Sequence, residues 1–467
     1  MVRVITQETY DEVVQENIEE FDMSPEEAVK EAIAQFEAQG VDLSNIIKDL
    51  VLSDGNDHLV SSTLKKLEKM CASNDCNEDS LIQELKILMS ECEKDIAHRI
   101  RAGKEGAYKI LINLLESRHK SYTQETNVKD KDCIISVLNT LSALMEMQPD
   151  LLDQKGIDLI KDILDKTDNE DILISTLKWL NMCCLKHELN RQRIFERNIG
   201  DNFKIILKKK GNPTLLIVSL QAIRKFALDD DIRVEFGKAH EHARELGVLL
   251  LETLAGLLKE NTKPPVVSEL LLTMATLLVR HELCAAAADS GIDVLFTILA
   301  DNYDDVAVTQ QATKLITALA GNDDVKWQLV KSGIVSIIVS LLTRHSNNAA
   351  AAALTLKCMA ALALREPAHG RELLDNGAAE AVVQCLKLHP RNASVQKNAC
   401  WAIRNMVSRY RDQNAKFHEL NIQGLLDEAY KVFGAEFGFD IKSALRDLDC
   451  DVTLDEQWTG KGVQMDG

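Results

Sequence analysis

The feature that most restricts what this chain can fold into is a repeat. Glycine recurs at Gly106, Gly156, Gly200, Gly247, Gly291, Gly333, Gly377 and Gly424, at intervals of 42 to 50 residues. Three or four residues after most of these glycines comes a block of two apolar, two variable and two apolar positions. Gly106 leads to Ile110, Leu111, Leu114 and Leu115, and Gly333 to Ile337, Ile338, Leu341 and Leu342. Gly200 is one residue out of phase, and Gly424 opens a degraded last copy. Apolar residues spaced in this way form one wide stripe on a helix. The glycine before it permits a sharp left-handed turn out of a short preceding helix. A polar turn follows each block (KTDNED, TRHSNN, LHPRN), and then a helix that is apolar on nearly all sides, such as VSLQAIRKFAL or LTLKCMAALAL. A helix without a polar face must be sandwiched between neighbours. One unit alone cannot provide that; a stack of units can, through a continuous core. The longer first interval is read as a polar insertion from Glu116 to Asp132.

Composition agrees with an all-helical reading. The chain has 46% hydrophobic residues, 4% aromatic residues and 7 Pro in 467 positions, which favours helix over strand. No run of 18 apolar residues occurs, so a transmembrane helix is not expected. The opening MVRVITQETYDEVV lacks the basic and apolar regions of a signal peptide. The 11 Cys include Cys183, Cys184, Cys358, Cys385 and Cys400 on apolar helix faces. There they read as small buried hydrophobes of a reducing compartment. The expected location is the cytoplasm, with the nucleus as a second compartment.

The formal charge is −19, from 54 Lys and Arg against 73 Asp and Glu, and it is concentrated at the ends. Residues 1–60 set fifteen acids against Arg3, Lys30 and Lys48, and residues 440–467 set seven against Lys442, Arg446 and Lys461. The near-neutral middle lacks the basic footprint that nucleic acid requires, so no nucleic-acid partner is expected. Near the N-terminus, Ser24-Pro25-Glu26-Glu27 is a strong helix start, with Ser as N-cap and Glu27 at the capping-box position. That helix should end at Gly40, with Ala28, Ala32, Ile33 and Phe36 on one face. An earlier helix is expected from Tyr10 to Phe21. Two readings follow: a cap on the first repeats, or a detachable arm that lies across the chain's own groove.

Short helix, glycine, second helix, polar turn and long third helix, in units of 42 to 47 residues, resemble the armadillo repeat, with HEAT as the neighbouring alternative. The segment CWAIRNMV at 400–407 is similar to the armadillo third-helix signature. The N-terminal block ITQETYDEVVQENIEEFDMSPEEAVKEAIAQF and the tail ALRDLDCDVTLDEQWTG together resemble one particular family of armadillo-repeat proteins, in order along the whole chain. The resemblance implies an all-α, right-handed armadillo/HEAT-like solenoid. Its expected organisation is an acidic helical segment at 1–56, a helical capping unit at 57–97, repeats at 98–436 and an acidic tail at 437–467.

In armadillo proteins the third helices line a groove in which a Trp, and an Asn four residues later, hold an extended peptide. Here that pair is Trp401 and Asn405, with Arg409 one turn further along. An amide can meet a peptide backbone with both its donor and its acceptor. The equivalent Asn position elsewhere holds Ala143, Lys225, Ala318 or Ala361, so the ladder has one rung. Arg224 and Lys225, with Lys208, Lys209 and Lys210 in the turn before them, could attract an acidic partner or the chain's own acidic segment. Trp179 and Trp327 read as core.

No P-loop, dinucleotide fingerprint or nucleophile elbow is present. Cys71 and Cys76 stand without a second pair, and His240 and His242 point to different sides of a helix. Neither catalysis, a cofactor nor a metal is expected. The expected function is a non-catalytic, monomeric scaffold or adaptor that binds a protein or peptide segment along its third helices. The alternative is a karyopherin-like transport adaptor that recognises a basic peptide. No membrane partner is expected.

Overall fold

A computed structural model describes residues 3–48, 58–72, 77–125, 128–209 and 211–452. The end of the expected acidic segment at 1–56, Cys76, Lys210 and the end of the acidic tail lie outside the described residues. By the density of internal contacts the chain forms two units, Met1–His242 and Ala243–Gly467.

The first unit opens with a small module. Strand β1 (Arg3–Val4) leads into helices α1 (Gln7–Glu20) and α2 (Pro25–Ala38), and β2 (Val41–Asp42) returns to pair in parallel with β1. The Ser24–Glu27 capping box forms as expected, and Gly40 takes a left-handed φ of 69° where α2 must stop. Tyr10, Val14, Ala28, Ala32, Phe36, Val41, Leu43 and Ile46 form a core of the module's own. Gln7 closes it through both ends of its amide, to the carbonyl and the N–H of Ile47. Two loose amphipathic helices are thus replaced by a packed miniature fold.

Helices α3 (Leu59–Ala72) and α4 (Glu78–Lys94) follow, then α5 (Ile96–Lys104), α6 (Ala107–Glu125) and α7 (Val128–Leu144). The segment read as a polar insertion extends α6 and α7 at their adjoining ends. Arg118 ties this extension to Glu78 at 3.0 Å and Asp130 at 3.1 Å. The next repeats comprise α8 (Gln154–Lys166) with α9 (Glu170–Cys183), then α10 (Glu188–Phe195), α11 (Ile199–Leu207) and α12 (Pro213–Lys225). Helices α4, α7, α9 and α12 pack in succession as the third-helix layer.

A long helix, α13 (Ala239–Glu260), runs into the second unit, where α14 (Pro264–Leu277), α15 (His281–Asp301) and α16 (Val306–Leu319) follow. Two repeats then show all three helices: α17 (Asp323–Lys331), α18 (Ile334–Arg344) and α19 (Ala349–Ala363), followed by α20 (Pro367–Asp375), α21 (Ala378–Leu388) and α22 (Ala393–Val407). The last copy is α23 (Asn414–Glu419) and α24 (Ile422–Asp447), which bends at Phe437, where φ is −144°. Helices α14, α16, α19, α22 and α24 form the second unit's third-helix layer.

The repeating glycine has two separate jobs. Gly333 and Gly377 adopt left-handed φ values of 92° and 87° at the turn into the second helix. Where the glycine is out of phase, an asparagine makes that turn instead: Asn198 at 56° and Asn421 at 58°. Gly156 and Gly247 lie inside continuous helices and serve close packing. A Cβ on Gly156 would stand 2.3 Å from the Tyr108 hydroxyl.

The polar turns work as helix starts. Asn169, Asn212, Asp305, Asn348 and Asn392 each cap a third helix, the side-chain oxygen accepting a first-turn N–H. Hydroxyls at Thr140, Thr176, Ser219, Thr313 and Thr355 donate to the carbonyl four residues back in their own helix. Their polarity is thereby satisfied inside the core, and the helix behaves as apolar all round.

Candidate interaction face on the third helices

Trp401 and Asn405 lie one turn apart on α22, both half-buried, and Arg409 follows just beyond its end. All three are engaged within the chain. The Trp401 Nε1–H donates to Asp440 Oδ1 at 2.9 Å, and Lys397 Nζ stands 5.2 Å from the Trp401 ring centre. Asn405 Nδ2 donates to the carbonyl of Ala360 on α19 at 2.9 Å, and Asn398 makes the same bond to Ala353. These two asparagines fasten one third helix to the one before it. The Asn405 side chain keeps its acceptor and one amide hydrogen for a partner. Arg409 donates to the Arg365 carbonyl at 3.2 Å, and its guanidinium is otherwise exposed.

The second proposed cluster is separate from the first. Arg224 and Lys225 are half-buried at the C-terminal end of α12, in the first unit, whereas α22 belongs to the second. Lys209 is tied to Asp168 Oδ1 at 2.7 Å in the preceding repeat's turn. Trp179 is fully buried, its Nε1–H on Met145 Sδ at 3.0 Å, as expected of core. Trp327 differs: it is 47% exposed, its ring packed edge-on against His369 at 4.5 Å. It sits on the short helix α17.

Within the second unit the positions of the rung form a row. Ala318, Ala361 and Asn405 are half-buried on α16, α19 and α22, and one turn earlier stand Lys314, Lys357 and Trp401. The face therefore combines an apolar floor with cationic heads, and Lys357 is exposed. Such a surface offers apolar and cationic side-chain contact. Burial pushes the thiols of Cys92, Cys133, Cys184, Cys358, Cys385 and Cys400 up to about 12, so these are not nucleophiles at neutral pH.

One cluster is not legible in the sequence. His58, at the start of α3, Glu91 of α4 and His98 of α5 bring potential ligand atoms within 4.8 Å of one another. The three come from different helices at spacings that match no metal motif, and no local pattern marks them. Burial first, then the neighbouring Arg101 guanidinium, lowers the His58 pKa to about 4, so its ring is neutral at pH 7.

Comparisons with known proteins bear on the whole chain. The ARMC6 family model matches residues 60–465, and a model of the Armadillo repeat-containing protein 6 N-terminal domain matches residues 2–73. An Armadillo repeat-containing protein 6 homolog of Drosophila melanogaster is 41% identical over 463 residues, covering 98% of each chain. Armadillo repeat-containing protein 6 of Homo sapiens is 36% identical over 390 residues, 79% of this chain and 75% of that one. Among solved structures, an engineered protein matches with a TM-score of 0.66 at 17% identity, covering 96% of this chain and 95% of that one. A structure from work on a phosphorylation switch in the interaction between cadherin and beta-catenin matches with a TM-score of 0.56 at 15% identity, over 82% of this chain and 68% of that one. At these identities the structural likenesses speak for the fold alone, an all-α armadillo-type solenoid.

Proposed function

The chain belongs to the armadillo repeat-containing protein 6 family, and from that premise we propose that it is a non-catalytic scaffold whose third-helix face holds a segment of a partner protein. The family and the solenoid fold support protein interaction in general. The observation that carries the finer reading is the row formed by Lys357, Trp401 and Asn405, in which each helix contributes one turn of contact. A segment lying across it would meet the free edge of the Trp401 ring, the remaining amide groups of Asn405 and the Lys357 ammonium. Arg409 extends the same patch. Arg224 and Lys225 form a second patch in the first unit, with the same preference for acidic side chains.

The test must spare the stacking bonds. Trp401→Ala and Asn405→Ala each remove an intramolecular contact, so a lost interaction there would be ambiguous. Lys357 has no such contact. A photo-crosslinking residue at position 357 of the full chain, with a second probe at the half-buried Glu372 on the first-helix side, separates the two faces. The expected outcome is one defined protein cross-linked from position 357 and absent from position 372. Equal labelling from both positions would overturn the third-helix assignment.

A further inference from the structure

The geometry points to a divalent-cation site, of the zinc class, formed by His58 Nε2, Glu91 Oε2 and His98 Nε2 where helices α3, α4 and α5 meet. These side chains are buried: His58 is 8% exposed, Glu91 4% and His98 1%. The two Nε2 atoms have no hydrogen-bond partner. Buried imidazole nitrogens facing a carboxylate are costly unless something joins them. His98 Nε2 lies 3.7 Å from Glu91 Oε2, too far for a hydrogen bond, and the two imidazole rings are 5.4 Å apart. A tetrahedral zinc with bonds of about 2.0–2.2 Å would set its ligand atoms roughly 3.3–3.6 Å apart. With its ligand atoms within 4.8 Å of one another, the cluster reaches that spacing by closing in by roughly 1 Å.

The supporting shell already orients His98. Asp95, the N-cap of α5, accepts the His98 backbone N–H at 2.9 Å and faces its Nδ1 at 2.7 Å. With the Nδ1 proton given to that carboxylate, the Nε2 lone pair is left for the cation, the carboxylate–histidine–metal arrangement. His58 is the ligand that must adjust. Its Nδ1 accepts the Val60 N–H at 3.1 Å, so on binding its proton moves from Nε2 to Nδ1 and that contact is exchanged for the metal bond. Lys94 Nζ donates to Glu91 Oε2 at 2.8 Å and lies 2.7 Å from Oε1, so on binding this half-exposed ammonium must turn to solvent and give Oε2 to the cation. Arg101, the nearby cation, is occupied by Glu105 at 2.9 Å. Two imidazoles and one carboxylate favour zinc over magnesium or calcium and leave the fourth position to water. The bound ion would staple the three helices that begin the array.

The experiment uses the full chain carrying Cys71→Ser, Cys76→Ser and Cys450→Ser, so that these thiols do not take up metal. Zinc binding is measured by competition with a chromophoric chelator, and the first shell is read by X-ray absorption. The expected result is one zinc per chain in a shell of nitrogen and oxygen only. Asp95→Asn should weaken binding about 10–100-fold, the range for a lost supporting carboxylate. His98→Gln and Glu91→Gln should abolish it, while His240→Asn leaves it unchanged. Circular dichroism checks that each variant is folded; if His98→Gln is not, Glu91→Gln and Asp95→Asn decide. Absence of stoichiometric zinc, or binding that survives both ligand substitutions, would overturn the site and leave the gap to a buried water.

Discussion

Single residues show how much of the surface chemistry is spent inside the fold. The connection from α12 to α13 is fastened by a network that the repeat pattern does not announce. Arg191 is fully buried and meets Glu188 at 3.0 Å and Asp230 at 2.6 Å. Asp231 accepts the Glu188 N–H at 2.9 Å and the Arg233 guanidinium at 2.9 Å. The Arg233 pairing, with the backbone N–H groups, holds the Asp231 carboxyl well below its ordinary 3.8. A carboxyl lowered on folding stabilises the fold above its unfolded pKa and loses that contribution as pH falls below it. The stability difference between the natural chain and Asp231→Asn should therefore be constant above about pH 5 and shrink below about pH 4. Urea titrations at a series of pH values check this, and a difference independent of pH would refute it. Asn405 teaches the same lesson. The sequence marks its helix, but one of its amide hydrogens is taken by the carbonyl of Ala360, a residue one repeat away that no local pattern names.

At the scale of the element, what is legible is what repeats. The third helices, their Asn and Asp caps and their apolar faces follow from periodicity, because each unit solves the same packing problem. Exceptions arise where neighbouring elements decide. The polar stretch from Glu116 onward reads as an insertion, yet it lengthens two helices because Arg118 finds Glu78 and Asp130. The Gly repeat hides a similar distinction between turn and contact. Gly370 on α20 lies against the backbone of α22, where an added Cβ would come within 2.8 Å of the Met406 carbonyl oxygen. Gly256, inside α13, has open space around it. Gly370→Ala should cost roughly 1–3 kcal/mol through overpacking. Gly256→Ala should add about 0.4–1 kcal/mol, since alanine suits a helix and narrows the unfolded ensemble. Denaturant midpoints of the two variants, measured side by side, distinguish a glycine kept for contact from one kept for nothing local.

For the whole molecule the repeat period determines which residues meet. Tyr303 reaches Ser340 at 2.7 Å, Lys326 the Leu364 carbonyl at 2.9 Å, and Asn405 the Ala360 carbonyl at 2.9 Å. Each bond joins positions about one unit apart, and no described bond in the second unit needs a distant crossing. This is why the fold class was readable from one sequence. The N-terminal module was half-readable: its capping box and helices are local signals, whereas its β1–β2 pairing and separate core depend on residues far apart in the chain. The candidate cation site was unreadable for the same reason, its ligands being set by three helices meeting.

In the second unit, ties that reach only as far as the next repeat also govern the response to load. Held at residues 243 and 452 and stretched, a segment bonded in this way has no single clamp to break. It should give way unit by unit, like a spring opening coil by coil. Releasing some forty residues frees at most about 140 Å of contour. Optical-trap extension should show a train of small steps with lengths bounded by that figure, in place of one large rupture.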